Sequence, residues 1–192
     1  FAQILGEIGI KAPKVKDAAY FARCFESLQY LIEKEKVLAG HDISAGGLIT
    51  TLLEMTFSQN NLAMDLNLDE LNESDIIRLL FSEKPGVVIQ VNDLDYVSIF
   101  LHEQQITYQV IGKMILGDTL YVKHGNHKYK FNIHALRNTW FTTSYLLDRK
   151  QCGEQLATER FNNYALQERD FVFPVNFRGL NNQFGINPLR KT

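Results

Sequence analysis

Val37-Leu38-Ala39-Gly40-His41-Asp42-Ile43-Ser44-Ala45-Gly46-Gly47-Leu48 is the stretch on which the reading of the fold turns. Val37 to Gly40 is a short apolar run that fits a buried strand. It passes at once into a polar, glycine-ended turn. A helix is expected after it, from about Leu48 to Ser58, with Leu48, Leu52, Met55 and Thr56 facing inward.

Working outward, Asp17 to Lys36 predicts a helix, because Ala18, Phe21, Ala22, Phe25, Leu28, Leu31 and Ile32 recur at three- and four-residue spacing. Asp17 is placed to cap it, and Glu33 to Lys36 reads as its solvated end. Downstream, Leu62 to Leu66 alternates like a strand and Asp69 to Phe81 reads as a helix. Gly86 to Val91, β-branched and uncharged, is a candidate central strand. Asp93 to Gln105 predicts a helix and Thr107 to Met114 a strand. A hairpin is expected about His124-Gly125-Asn126-His127, and a last helix from Ile133 to Arg149. This order argues for an α/β (α+β) sandwich in which helices cover a mixed sheet. Residues 1–150 form the expected domain, and 151–192 read as a polar linker or extension.

The composition is that of a globular chain: 192 residues, 45% hydrophobic, 22% charged, with a net charge of -2. A near-neutral balance argues against a nucleic-acid partner, which calls for a basic surplus. No apolar run approaches the roughly 18 residues of a membrane span, and no signal peptide is recognisable. Cys24 and Cys152 have neither metal-ligand spacing nor a disulfide framework, so a reducing, cytoplasmic setting is expected. Phe1 to Ile10 reads as amphipathic structure and Asn187 to Thr192 as an interrupted loop. Both are expected of a segment of a longer chain, removal of an initiator methionine being the alternative at the start.

The turn carries the chemistry. A carboxylate such as Asp42 at the end of a buried strand is costly unless a cation or hydrogen bonds compensate it. Mg²⁺ is the hard ion that one carboxylate plus substrate phosphates usually hold. Ser44 offers a hydroxyl to a phosphate oxygen, while Gly46 and Gly47 open a helix whose N–H groups favour an anion. The plainer alternative is that Asp42 or Ser44 caps the helix and the glycines only shape a tight turn.

His41-Asp42-Ile43-Ser44-Ala45-Gly46-Gly47-Leu48 resembles the His-Asp-x-Ser-x-Gly-Gly-Leu motif of the aminoimidazole ribonucleotide (AIR) synthetase superfamily, in its C-terminal domain. Within that superfamily the chain resembles the family of large, single-chain phosphoribosylformylglycinamidine synthases. The segments that carry this are Lys11 to Ala19, Leu53 to Phe57, Ser82 to Val91, and Leu136-Arg137 with Thr139-Trp140. The resemblance implies the second AIR synthetase-like C-terminal domain of such an enzyme. It implies a ligase of purine biosynthesis that uses ATP and glutamine to convert formylglycinamide ribonucleotide to formylglycinamidine ribonucleotide. Asp42 is then a Mg²⁺ ligand, and Ser44, Gly46 and Gly47 contact the nucleotide, ATP or ADP. The remaining ligands are implied to lie in a preceding N-terminal-type domain, and the glutaminase residues in a following domain.

No catalytic residue is implied within this chain. The second half of the large enzymes is implied to hold an auxiliary nucleotide, so a structural scaffold role is a second reading. A selenophosphate or thiamine-phosphate enzyme of the same superfamily is a third.

Other residues have plainer roles. His41 is expected to orient the turn, and His102, His124, His127 and His134 to occupy surface or hairpin positions. Asp65, Asp69, Glu70 and Glu73 read as a solvated connection. Trp140, Phe141 and Tyr145 are expected to pack against a neighbouring domain, and Phe171, Phe173 and Phe177 against a partner surface.

Overall fold

The computed structural model describes residues 4–7 and 15–166. Most of Phe1 to Ile10, the start of the Lys11 to Ala19 segment, and Phe171, Phe173 and Phe177 lie outside the described residues. In chain order the elements are α1 (Ala18–Glu33), β1 (Val37–Asp42), α2 (Gly47–Phe57), β2 (Leu62–Asn67), a 3-10 turn (Asp69–Leu71), α3 (Ile76–Phe81), β3 (Val87–Val91) and α4 (Leu94–Glu103). They continue with β4 (Gly112–Leu116), β5 (Thr119–His124), β6 (His127–Asn132), α5 (Ile133–Cys152) and α6 (Glu154–Asn163). Four helices start where a side chain satisfies an otherwise orphaned N–H: Asp17, Asp75, Asp93 and Asn132 accept from the first turns of α1, α3, α4 and α5.

Four strands form a mixed sheet in the order β4-β2-β5-β6, with β2 and β5 parallel and the outer pairs antiparallel. Helix α2 lies over it. Leu48, Ile49 and Leu52 from the helix meet Ala63, Met64, Leu66, Leu120 and Val122 from the strands, and Leu68, Leu80 and Ile133 close the cluster. A smaller cluster, Leu31, Val97 and Leu101, joins α1 and α4 to β1 and β3 through Val37 and Val91. The expected class, α/β with a mixed sheet and covering helices, is the architecture observed. Among the described residues no helix is long and apolar enough to cross a membrane.

Several expectations are corrected. Among the described residues β3 is not central: it pairs antiparallel with β1 alone, in a two-stranded ribbon. A β-branched run reports that a strand is to be covered, not how many strands flank it. The expected buried strand at β1 is mostly exposed, with Leu38 at 57%. The stripe on α1 is likewise mostly open; Leu31 is buried, whereas Phe21 and Phe25 are exposed.

The helix expected over Asp69 to Phe81 is broken. Asn72 takes a left-handed conformation (φ 50°), and Asp75 restarts the helix as its cap. β4 begins only at Gly112, where pairing with Leu66 begins. Beyond Gln151 the described chain is helical: α6 folds back on α5, with Phe161 against Tyr145 at 4.8 Å and Tyr164 stacked on Phe141 at 4.2 Å. All three aromatics expected to face a neighbouring domain are thus engaged within this chain, Trp140 through Glu54 and Phe57.

Arg137 on α5 is only 1% exposed. Its guanidinium donates to the Phe57 carbonyl at 3.3 Å and to Asn60 Oδ1 at 2.8 Å, and lies 3.2 Å from His134 Nδ1. Asn60 in turn donates to the carbonyl of Ala165. One buried cation therefore joins the end of α2, the body of α5 and the chain beyond α6. At the far edge, Asp69 accepts from Lys123 Nζ at 2.6 Å and from the N–H of Gly125 at 2.7 Å, which holds the β5–β6 turn.

The start of α2 is fixed by two glycines with positive φ, Gly46 at 87° and Gly47 at 75°. A Cβ on Gly47 would stand 2.7 Å from the Leu80 carbonyl oxygen and 2.7 Å from the Phe81 carbonyl carbon. Those are backbone atoms at the end of α3 and have nowhere to go. A Cβ on Gly46 would meet Thr50, overlapping its Oγ1 and standing 3.0 Å from its Cβ; rotation moves the hydroxyl, and only a small shift is then needed at the Cβ.

Gly47→Ala is expected to destabilise by about 3 kcal/mol or more, and Gly46→Ala by about 1–2 kcal/mol, in urea unfolding. Arg137→Ala is expected to cost about 2–4 kcal/mol by the same measurement, because it leaves buried acceptors without donors and opens a cavity. Hydrogen bonding from Lys123, then from Gly125, holds the Asp69 carboxyl below its ordinary value. Its contribution to stability is therefore complete above the ordinary carboxylate range and is lost as pH falls through the lowered value. Asp69→Asn is expected to lower stability near about pH 7 and to flatten its decline towards about pH 3.

Candidate functional site

The turn between β1 and α2 gathers Asp42, Ser44, Gly46 and Gly47 within six residues, and the chain around it is held from several sides. The Ile43 N–H donates to the Gly86 carbonyl at 2.8 Å, and the Gly47 N–H closes the turn on the Ser44 carbonyl at 3.0 Å. The Gly46 N–H donates to Glu83 Oε1 at 3.0 Å. Helix α2 begins at Gly46 without a side-chain cap, so neither Asp42 nor Ser44 caps it. Of the two sequence readings of the glycines, tight-turn shaping is what the contacts around Gly47 display.

The side chain of Asp42 is 72% exposed, and Ser44 is exposed as well. The premise that Asp42 is a costly buried carboxylate is overturned, because β1 belongs to an open ribbon and not to the covered sheet. What is held tightly is the Asp42 backbone. Its carbonyl accepts from Thr51 Oγ1 at 2.9 Å and faces His41 Nδ1 at 2.8 Å. His41 Nε2 lies 3.0 Å from Glu54 Oε2, and the other Glu54 oxygen accepts the Trp140 indole N–H at 2.7 Å. His41 and Asp42 line an open groove of about 530 Å³, walled otherwise by Leu28, Ile32, Val37, Gly40, Val87 and Ile89.

His41 thus orients the turn, as expected. The other histidines are dispersed: His124 Nε2 lies 2.6 Å from the Glu73 carbonyl, His134 joins Arg137, His127 sits beside Tyr129, and His102 is exposed. Among the described residues no group of three or more His, Cys, Asp or Glu side chains could hold a metal. Asp69 and Glu73, from the acidic connection, serve local hydrogen bonds. Both cysteines are free. Burial, then the Asp148 contact, pushes the Cys152 thiol up, which is opposite to what a nucleophile needs.

Sequence reasoning missed Thr51, Glu54 and Glu83. Glu54 had a legible signal, being the one charged residue of α2. Glu83 had none, since its contact spans 37 residues of chain.

The chain is 36% identical over 158 residues to a probable phosphoribosylformylglycinamidine synthase, chloroplastic/mitochondrial, of Arabidopsis thaliana, covering 78% of this chain and 11% of that protein. It is 32% identical over 182 residues to a probable phosphoribosylformylglycinamidine synthase of Caenorhabditis elegans, covering 87% and 13%. The chain therefore spans only 11–13% of the length of these curated relatives.

Among solved structures, PurLQS from Thermotoga maritima superposes with a TM-score of 0.57 at 19% identity, covering 66% of this chain and 23% of that one. T. maritima PurL complexed with ATP gives 0.53 at 18% identity, covering 60% and 21%. At such identities the likeness is one of fold. The sequence model for AIR synthase related protein, C-terminal domain, matches residues 3–125. That span takes in the ribbon, the glycine turn and three strands of the mixed sheet, and the chain belongs to this family of AIR synthase related C-terminal domains.

Proposed function

We propose that this chain is the C-terminal-type AIR synthase domain from the second half of a large phosphoribosylformylglycinamidine synthase, and that its β1–α2 turn binds a Mg²⁺-nucleotide. The whole protein, on this reading, is a ligase of purine biosynthesis. It uses ATP and glutamine to turn formylglycinamide ribonucleotide into the amidine. A preceding N-terminal-type domain supplies the other Mg²⁺ ligands, and residues 151–192 lead towards a glutaminase domain. A cytoplasmic setting goes with the two free cysteines, although the Arabidopsis relative is named as chloroplastic/mitochondrial.

The observation that carries the reading is the pair of exposed hard-oxygen donors two residues apart, Asp42 and Ser44, on a turn whose backbone is fixed. Such a donor set fits Mg²⁺, which takes one or two carboxylates together with phosphate oxygens and water. Bound there, the ion neutralises phosphate charge. Asp42 holds it, and the Ser44 hydroxyl donates to a phosphate oxygen. Gly46 and Gly47 serve by shape, since their N–H groups are engaged by Glu83 and by the Ser44 carbonyl. T. maritima PurL, which shares this fold, is known in complexes with ATP, ADP and AMPPCP, and these supply the nucleotide class for the proposal.

A specific observation favours holding the nucleotide over turning it over. The titratable neighbours His41 and Glu83 are both committed to contacts within the protein. The scaffold role, an auxiliary ADP that fixes domain packing, is therefore the form of the proposal preferred here. A selenophosphate- or thiamine-phosphate-type enzyme gains nothing from the relatives found.

The test uses the full-length protein, wild type and Asp42→Ala, purified without added nucleotide. ADP released on denaturation and ammonia-driven amidine formation are measured on the same samples. The expected result is loss of bound ADP and of thermal stability, with turnover per folded molecule within about twofold of wild type. Unchanged ADP with collapsed turnover would instead place this turn in the working active site.

A further inference from the structure

Helix α2 touches the end of β1 twice. Thr51 reaches the Asp42 carbonyl directly, and Glu54, one turn further along the same face, reaches His41. His41 passes the contact on through its other ring nitrogen to that same carbonyl. Glu54 is itself held, because its second oxygen accepts from Trp140 on α5, whose ring packs edge-on against Phe57 and Phe141. The Glu54 side chain is only 23% exposed, so its two partners, and not water, decide where it points.

We propose that Glu54 is the positioning residue of the Asp42 turn, fastening it through His41 to Trp140 of helix α5. The proposal rests on the reading of Asp42 as a Mg²⁺ ligand. It adds that the carboxylate is aimed by a carboxylate–histidine brace whose far end lies on a helix outside the motif.

The physical basis is the difference in exposure along the brace. Asp42's carboxylate is open to solvent, with one oxygen 3.6 Å from His41 Nδ1, so its direction is set by that ring and by its backbone, which is fixed through the carbonyl. Ligands aimed by hydrogen-bonded partners lose metal affinity when the partner is removed, by about 10–100-fold in known sites. Glu54→Gln keeps the shape but leaves one acceptor oxygen where the carboxylate offered two, one to Trp140 and one to the His41 ring, and it removes the charge that the ring faces. Trp140→Phe keeps an aromatic ring against Phe57 and Phe141 but removes the N–H that anchors Glu54, together with part of the indole's bulk.

The experiment uses the full-length protein, with ADP as the probe in equilibrium dialysis at graded free Mg²⁺. Urea unfolding of each variant without Mg²⁺ and ADP is measured in parallel. Glu54→Gln is expected to raise the Mg²⁺ concentration for half-maximal ADP binding by about tenfold, and Trp140→Phe by a smaller factor in the same direction. The metal-free urea midpoint is expected to stay close to wild type in both, and Glu54→Asp to recover part of the affinity.

A wild-type Mg²⁺ dependence in Glu54→Gln, where Asp42→Ala abolishes binding, would overturn the brace while leaving the Asp42 reading intact. Undiminished binding in Asp42→Ala would overturn the site reading and the brace with it. A variant whose metal-free stability falls in step with its affinity would show Glu54 to be merely structural. If Glu54→Gln does not fold, Trp140→Phe decides the matter by the same readouts.

Discussion

The site depends on a contact between two stretches of backbone. Gly47 begins α2 directly against the carbonyls that end α3, with no side chain between them. A side-chain contact can adjust by changing rotamer; a backbone contact of this closeness cannot, and only glycine permits it at a positive φ. The rest of the turn then falls on residues just beyond α3. Glu83 lies two residues past Phe81 and takes the Gly46 N–H, and Gly86 takes the Ile43 N–H. A single segment, residues 80–86, thus receives the turn at three successive points. Asp42 stands where it does because the segment that follows it is seated this way.

The same arrangement explains which parts of the fold were legible in the sequence. Two features were readable from local chemistry: the start of α1, where Asp17 accepts from Tyr20 three residues on, and the hairpin centred on Gly125-Asn126, whose turn is tied in addition to the distant Asp69. Burial was readable only as a demand for cover. Phe21 and Phe25 repeat at helical spacing and are open, and Leu38 lies in an apolar run and is open too. Periodicity shows that a face is to be covered without showing what covers it. The break at Asn72 was hidden because an amphipathic count over Asp69 to Phe81 does not register a single left-handed residue.

The candidate site divides along the same line. Asp42, Ser44 and the two glycines stood out because residue types that packing alone would not choose are concentrated there. The reason first given for Asp42, burial, was wrong, and its exposure in an open ribbon is the better basis for a ligand role. The residues that hold the turn from a distance were less visible. Glu54 is conspicuous only as a charge on an apolar helix, and Glu83 only after the chain has folded.

On the proposed reading, what this chain would contribute to a metal–nucleotide site is direction more than charge. Of the carboxylates near the turn, Glu54 and Glu83 are engaged by protein donors, and Asp42 alone presents an open carboxylate beside the Ser44 hydroxyl. One carboxylate binds Mg²⁺ weakly in water, because the ion gives up its hydration reluctantly. Useful affinity then requires that the remaining oxygens come from phosphates and from ligands elsewhere, and that Asp42 meets them without rearranging. A rigid backbone beneath an exposed carboxylate satisfies that requirement, since ordering costs are met when the chain folds and not when the ligand arrives. The glycine contact, the residue 80–86 segment and the Glu54 contacts all act on the backbone around Asp42 and leave its carboxylate open, as the proposed shared site would require.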